Sequence, residues 1–451
     1  MLLLDGQEGS LALDVVLVSA ISGAQKLGLH QLGDAKLEIL TKAFIRSDWS
    51  SLESQPHVRT EIGVRIWWAL VILDWSRGLN LGYCSIHPSH FNTRTPLHIN
   101  DDDLWPPTQH GGVLDHPTGR PRSEFTMLSY TVHALEIALF ARPSIDYRRS
   151  SNQSRRQEIE TSDSLARDHL NKRYEAFIVK LPSHFRSGSN AGHNVTGPLA
   201  AIPVHRWMLH QQLWSLFLRL HLGSILSQDG RVLCQFLVQN IISSQTQIQA
   251  LCAICGSLGT NKTQLFNAAM VLLIDLLFAS GRKEGDRASA QLNRLVIRDR
   301  VREAIELLQV RIDQTDFLPP DYPGSRSMRA SVRRSITALE SLLTLEQEEV
   351  SDGETNRAST LKDQPVGQGA SSTLRGSRQS LKDKILSILD GMPRSENDTV
   401  ASVEPANLDL SSLKWAPLPS TSDLQDINLL PLLFDDFGHN IWHYLDFAPS
   451  S

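Results

Sequence analysis

The residues from Glu61 to Leu104, EIGVRIWWALVILDWSRGLNLGYCSIHPSHFNTRTPLHINDDDL, admit few folds. In the first half, Ile62, Ile66, Ala69 and Leu73 fall at i, i+4, i+7 and i+11, so they stack on one helical face that is expected to seek a core. A second stripe, Trp67, Val71 and Asp74, sets a carboxylate about two turns beyond an indole, on a helix that also carries Trp68 and Trp75. Gly78 and Gly82 are expected to end this helix. Beyond them Pro88 and Pro96 forbid continued helix and bias their predecessors to extended geometry, so an ordered loop should close in Asp101, Asp102 and Asp103.

The flanking chain shows helical spacing throughout. Leu11, Val15 and Val18, with Leu13, Val16, Ala20 and Ala24, predict a helix over 10–27 that is apolar on most sides, should be buried, and stops at Gly28. Further helices are expected at Asp34–Arg46, Ser123–Ala141, Ser164–Leu181, from Pro203, and at Val232–Leu258, Gln264–Ser280, Ala288–Gln314 and Ser331–Leu345. Residues 48–60 read as connector, and Trp105–Arg122 and His184–Pro198 as loops rich in breakers. Residues 143–160, with Arg148, Arg149, Arg155 and Arg156, read as a solvated basic connector; a split nuclear-import signal is the sharper reading. No segment alternates with the period of a sheet, so residues 1–349 are expected to form one all-α, irregular helical array.

After Val350 the composition turns to Ser, Gly, Gln, Asn and Asp, which bury too little apolar surface to offset chain entropy. Residues 350–421 are therefore expected to be a disordered linker, with a short helix at Leu381–Leu389 as an island. Residues 422–451 differ again. Asp423, Asp426, Asp435, Asp436 and Asp446 are interleaved with Leu429, Leu432, Leu433, Phe434, Phe437 and Trp442, with no Lys or Arg up to Phe447. That is the compositional pattern of an acidic activation segment, whose mutually repelling aspartates leave bulky side chains available for a coactivator groove. A terminal helix docked on the body is the alternative.

Composition excludes several classes. A net charge of −5 gives no global reason to bind nucleic acid or an anionic membrane. Cys84, Cys234, Cys252 and Cys255 are few for 451 residues and point to a reduced compartment such as cytosol or nucleus. Met1–Leu4 has no cationic region before it, so a secretory signal is not expected, and Ala268–Ala279 is well short of the ~20 residues of a membrane span.

The run Arg65-Ile66-Trp67-Trp68, followed by Leu70, Leu73, Asp74, Thr93, Pro96, Asn100 and Asp101–Asp103, resembles the fungal-specific transcription factor domain, the regulatory domain of zinc-cluster proteins. Upstream, Gln25-Lys26-Leu27-Gly28-Leu29-His30 looks like a second segment of that family, with Gln at position 31 where the family has Arg. The resemblance implies a nuclear regulator of transcription, an activator of a metabolic or secondary-metabolite gene cluster, with a small-molecule effector and a homo- or heterodimeric partner. Arg65, Trp67, Trp68, Asp74, Pro96, Asn100 and Asp101–Asp103 are then structural signature residues. In the family a six-cysteine zinc cluster precedes this point. Its absence makes the chain read as amino-terminally short, with zinc expected only on such a cluster and DNA reached through it or through a partner protein. A non-DNA-binding partner or coactivator of another zinc-cluster regulator is the alternative.

The same residues also bear on enzymatic chemistry. Asp101–Asp103 in an all-α chain invites a terpene-synthase-like site holding Mg²⁺ through carboxylates, but position 105 is Trp where the spacing needs a carboxylate. The expected role is to cap the helix that follows. Cys252 and Cys255 lack the further ligands of a structural zinc site and are expected to be core residues. His30, His87, His90 and His98 are scattered and read as ordinary loop and helix-end residues. Asp74 and Asp275, each in an apolar helix, need a partner; a structural ion pair is expected, to Arg77 or another helix for Asp74, with contact to an effector as the alternative. Neither a catalytic residue nor a bound cofactor is expected.

Overall fold

The computed structural model describes residues 11–33, 56–81, 83–104, 119–153, 159–222, 225, 227–256, 259–279, 287–314, 323–360 and 380–388. Among the described residues all regular structure is helical, as the spacing predicts, with no strand. The long helices are α1 (Leu11–Lys26), α2 (Pro56–Leu81), α3 (Ser129–Gln153), α4 (Ile159–Lys180) and α5 (Ile202–His221), then α6 (Gln228–Leu251), α7 (Gly259–Ala279), α8 (Arg287–Gln314) and α9 (Pro323–Thr360). The expected helix Asp34–Arg46, residues 361–379 and 389–421 of the expected linker, and the acidic segment 422–451 lie outside the described residues.

The chain divides into two compact units. The N-unit comprises Asp14–Leu220 with Ala250–Cys252, and the C-unit comprises Met1–Leu13, His221–Gln249 and Ala253–Ser451.

In the N-unit, α1 ends as its sequence predicts: Gly28 takes a left-handed φ of 75°, a conformation open to glycine at little cost. Its burial is narrower than expected. Leu17, Ile21 and Ala24, at i, i+4 and i+7, are buried, whereas Val15, Val16 and Val18 are exposed. One helical stripe covers one side only.

Helix α2 starts at Pro56, where the missing proline N–H is no loss, so the last residues of the expected connector are helical. Gly78 does not end it. A Cβ there would lie 2.8 Å from Tyr83 O and against Cys84 Sγ, so this glycine allows the chain to return close along the helix. The terminus is Leu81, and Arg219 of α5 donates from Nη1 to Leu79 O at 2.8 Å, a cation on carbonyls that have no intrahelical partner. The buried face is the reverse of the expected one: Ile62 and Ile66 are 37% and 47% exposed, while Val64, Trp67, Val71 and Trp75 are at most 1% exposed. The indoles bring more area than the isoleucines, and fully burying one large apolar side chain contributes about 1.5–3 kcal/mol.

Helix α3 packs on α2 and on α4. It runs through Pro143 to Gln153, so Arg148 and Arg149 are helical where a connector was expected. Ser144 Oγ donates to Phe140 O at 3.2 Å, serving one carbonyl of the turn that the proline disturbs. Ile137, Tyr174, Phe177, Phe185, Leu209 and Leu213 build a core among α3, α4 and α5.

The core of the C-unit is mainly aliphatic, with Phe266 also buried. Helices α7, α8 and α9 pack pairwise, burying Leu273, Val301, Leu308 and Leu339 fully. Helix α9 continues past the expected boundary at Val350 to Thr360. Residues 380–388 are helical near the expected island, with Ile385 buried and Lys384 Nζ 2.6 Å from Glu349. Asp275 accepts from Gln235 Nε2 at 2.7 Å. Cys252 and Cys255 are half-buried beside a break between α6 and the one-turn helix Ala253–Gly256, not core residues; the helical pattern that would bury them is interrupted there. Among the described residues no helix is long and apolar enough to cross a membrane.

Candidate functional site

The signature residues form one hydrogen-bonded assembly inside the N-unit. Its spine is the tryptophan face of α2. Trp68 Nε1 donates to Arg94 O at 2.7 Å and Trp75 Nε1 to Ile86 O at 2.9 Å, so two indoles fasten the extended loop along the helix. Phe91 sits among three indoles, with centroids 5.5, 5.4 and 6.4 Å from Trp67, Trp68 and Trp75. The pairs with Trp67 and Trp68 are edge-on, an arrangement that adds about 0.5–1.5 kcal/mol to area burial. Trp67 also meets His30 at 5.9 Å.

The two sequence segments that carry the signature meet here. Asn92 N donates to His30 O at 3.0 Å and Arg94 N to Leu32 O at 3.1 Å, which ties the loop to the 3-10 turn Leu29–Gln31 and the residue after it. Thr93 completes this link: its hydroxyl donates to Leu29 O at 2.6 Å and accepts from Leu32 N at 3.2 Å. Gln31 is exposed, so the departure from the pattern at that position touches no packing.

Asp74 is buried, and its two oxygens accept the backbone N–H groups of Ser85 at 3.0 Å and Ile86 at 2.8 Å. Backbone amides thus hold the carboxylate where an ion pair was expected. Burial raises its pKa above the ordinary aspartate value, against the lowering effect of those amides and of Arg142.

Sequence reasoning missed Glu61. Its carboxylate is almost wholly buried; it accepts from Arg65 Nε at 3.1 Å and Leu97 N at 3.0 Å and forms an ion pair with Arg94, whose Nη2 lies 2.8 Å away. Arg65 reaches on to Asp101 at 2.6 Å, so one side chain links helix α2 to the acidic turn. A charged residue at the edge of an apolar stripe reads as a marker of solvent; the available signal was Arg65 at i+4. Phe91 was missed because it lies in a proline-studded loop with no period.

The acidic run forms the one-turn helix Asp101–Leu104. Asn100 Oδ1 accepts from Met127 N at 2.9 Å, and Asp103 pairs with Arg120 at 2.6 Å. Asp102 is exposed and Pro96 is buried. Asp101 and Asp103 are therefore each taken by a different arginine, and among the described residues no group of three or more His, Cys, Asp or Glu is placed to hold a metal ion. His87 Nδ1 caps the turn Pro88–His90 by accepting from Ser89 N. The tail residues Leu429, Leu432, Leu433, Phe434, Asp435, Asp436, Phe437 and Trp442 lie outside the described residues.

Such an assembly positions and braces: the carboxylates of Glu61, Asp74, Asp101 and Asp103 are taken by arginines and backbone amides. Comparison with curated proteins finds a relative named "Probable transcription factor lepB", from Aspergillus flavus, 29% identical over 202 residues, which are 43% of this chain and 32% of that protein. The chain thus spans about a third of the length of the curated relative it matches. No family model and no solved structure matches the chain.

Proposed function

We propose that this chain is a nuclear regulator of transcription, with a braced helical body for regulation and an acidic carboxy-terminal segment that activates. The observation that carries the reading is the joining of the segment at Leu29–Leu32 to residues 91–94 over the tryptophan helix. The two stretches that resemble the fungal transcription factor domain are thereby parts of one object. Similarity to a protein named as a probable transcription factor supports it independently.

In this reading the arginine and amide partners of Glu61, Asp74, Asp101 and Asp103 give those carboxylates a bracing role, and the chain acts by contact rather than turnover. The tail from Ser422 to Phe447 meets coactivators or the general transcription machinery through Leu, Phe and Trp side chains held apart by aspartates. DNA is read by a partner protein or by a zinc cluster outside these residues, since four cysteines fall short of a six-cysteine cluster. The genes controlled are a metabolic or secondary-metabolite cluster. A reporter assay with residues 415–451 fused to a heterologous DNA-binding module tests the tail: strong activation is expected, and reporter output at the level of the module alone would sink this role.

A further inference from the structure

The core between α3, α4 and α5 contains five imidazoles. Phe125 and Phe185 form its centre, 6.3 Å apart and edge-on. His184 lies 5.7 Å from Phe125, His133 5.4 Å from Phe185, and His205 is stacked on Tyr130 at 5.0 Å while lying 6.3 Å from Phe125. His210 donates from Nε2 to Phe185 O at 2.9 Å, and His98 reaches the same region from the loop before the acidic turn. His98, His133, His184 and His210 are each at most 8% exposed.

The hydrogen bonds suit neutral rings. His98 Nδ1 faces Arg120 O at 3.0 Å and must carry a proton, which leaves Nε2, 2.8 Å from Ser129 Oγ, to accept from the hydroxyl. His184 Nε2, His205 Nδ1 and His210 Nδ1 have no hydrogen-bond partner among the described residues, so a second proton on any of these rings would be an unpaired buried charge.

The charged groups facing the cluster are mostly cations. Arg206 on α5 donates to the carbonyls of His184, Ser189 and Ala191. Arg120 and Arg122 come from the preceding loop, Arg120 pairing with Asp103 and Glu124. From α3 comes Glu136, shared by Arg122 and His133, whose Nδ1 lies 3.5 Å from it. From α4 comes Phe177, 6.1 Å from His133.

We propose that this imidazole-ringed aromatic core is an acid-sensitive latch, which holds the N-unit closed while His98, His184, His205 and His210 are neutral and releases it as they take up protons. Burial lowers the pKa of His98 and His210 and brings His184 and His205 to about 4, against an ordinary 6.5. A folded value below the unfolded one means stability that is complete above about 6.5 and drains away as pH falls towards 4.

The test is urea unfolding of the full chain followed by tryptophan fluorescence, since the described indoles, Trp67, Trp68, Trp75, Trp207 and Trp214, all lie in the N-unit. Two histidines shifted this far predict a folding constant roughly 700-fold smaller at pH 5 than at pH 7.5. In the double variant His184→Gln, His205→Phe the loss should shrink to below about tenfold. A wild-type constant that does not move, or a variant that keeps the full slope, overturns the latch. If the variant fails to fold, histidine side-chain NMR of the wild type decides. His184 and His205 should stay neutral until unfolding; titration of either in the folded state near the ordinary 6.5 would overturn the proposal.

Discussion

Each unit buries a glutamate between two arginines, and the two settings teach different things. In the N-unit Glu61 sits between Arg65 and Arg94 and also takes the amide of Leu97; in the C-unit Glu346 on α9 sits between Arg294 at 3.2 Å and Arg298 at 2.7 Å on α8. The second clamp joins two regular helices in a unit whose buried side chains are mainly Leu, Ile, Val and Ala, with Phe266 and Met270. The first pins an irregular loop to a helix, inside a core of indoles and imidazoles. Among the described residues the C-unit buries no histidine, tryptophan or tyrosine. Loop-bearing cores need polar side chains to satisfy loose backbone groups, and those side chains make the core sensitive to charge. The helical core also buries polar side chains, Asp275 and Glu346 among them, but it sets them between regular helices and, with no buried histidine among the described residues, is expected to depend less on pH near neutrality.

The largest effect that sharpens this contrast is Glu61→Ala. It leaves two arginines and an amide uncompensated, and should cost about 3–5 kcal/mol in urea unfolding, against about 2–3 kcal/mol for Glu346→Ala. Equal losses would break the claim that the loop clamp bears more. Next comes Gly78→Ala, which drives a methyl into Tyr83 O and Cys84 Sγ and should lower stability by about 1–3 kcal/mol by the same measurement. Asp74→Asn keeps the shape but accepts one N–H where the carboxylate takes two, for about 1–2 kcal/mol. At the small end, Asp101→Ala removes an exposed pairing with Arg65 and should stay within about 1 kcal/mol, and Gln31→Arg within about 0.5 kcal/mol. A large loss from either would mean that the acidic turn or position 31 carries load the geometry does not show.

Much of the fold was legible as periodicity. The stripe Val301, Ile305 and Leu308 lies on the buried side of α8, and Gly28 stops α1 by its left-handed φ, because both signals are local. The wrong face of α2 has a physical origin. The helix carries an aliphatic stripe and an aromatic one, and the aromatic one is flanked by Glu61 and Arg77, which a hydropathy reading assigns to solvent, and by Asp74, whose need of a partner was legible while the partner itself was not. Their burial depends on partners such as Arg94, Leu97, Ser85 and Ile86, supplied by a loop with no period of its own. The imidazole cluster was unreadable for the same reason. His98, His133, His184, His205 and His210 come from two helices, a 3-10 turn and a loop, and nothing in their spacing announces a meeting. The break of α6 beside Cys252 and the passage of α3 through Pro143 belong to this class too, since packing overrode what the local residues favour.

The hydrogen bond from Arg219 to Leu79 joins residues 140 positions apart. During synthesis, at roughly 5–20 residues per second, the tryptophan helix would be complete some 7 to 30 s before the side chain that covers its last turn has been made. In that interval its carbonyls have only water or a chaperone to meet. The N-unit is therefore most exposed to misassembly while it is being born, and an Arg219 variant should show its defect in yield from translation before it shows one in the stability of the finished protein.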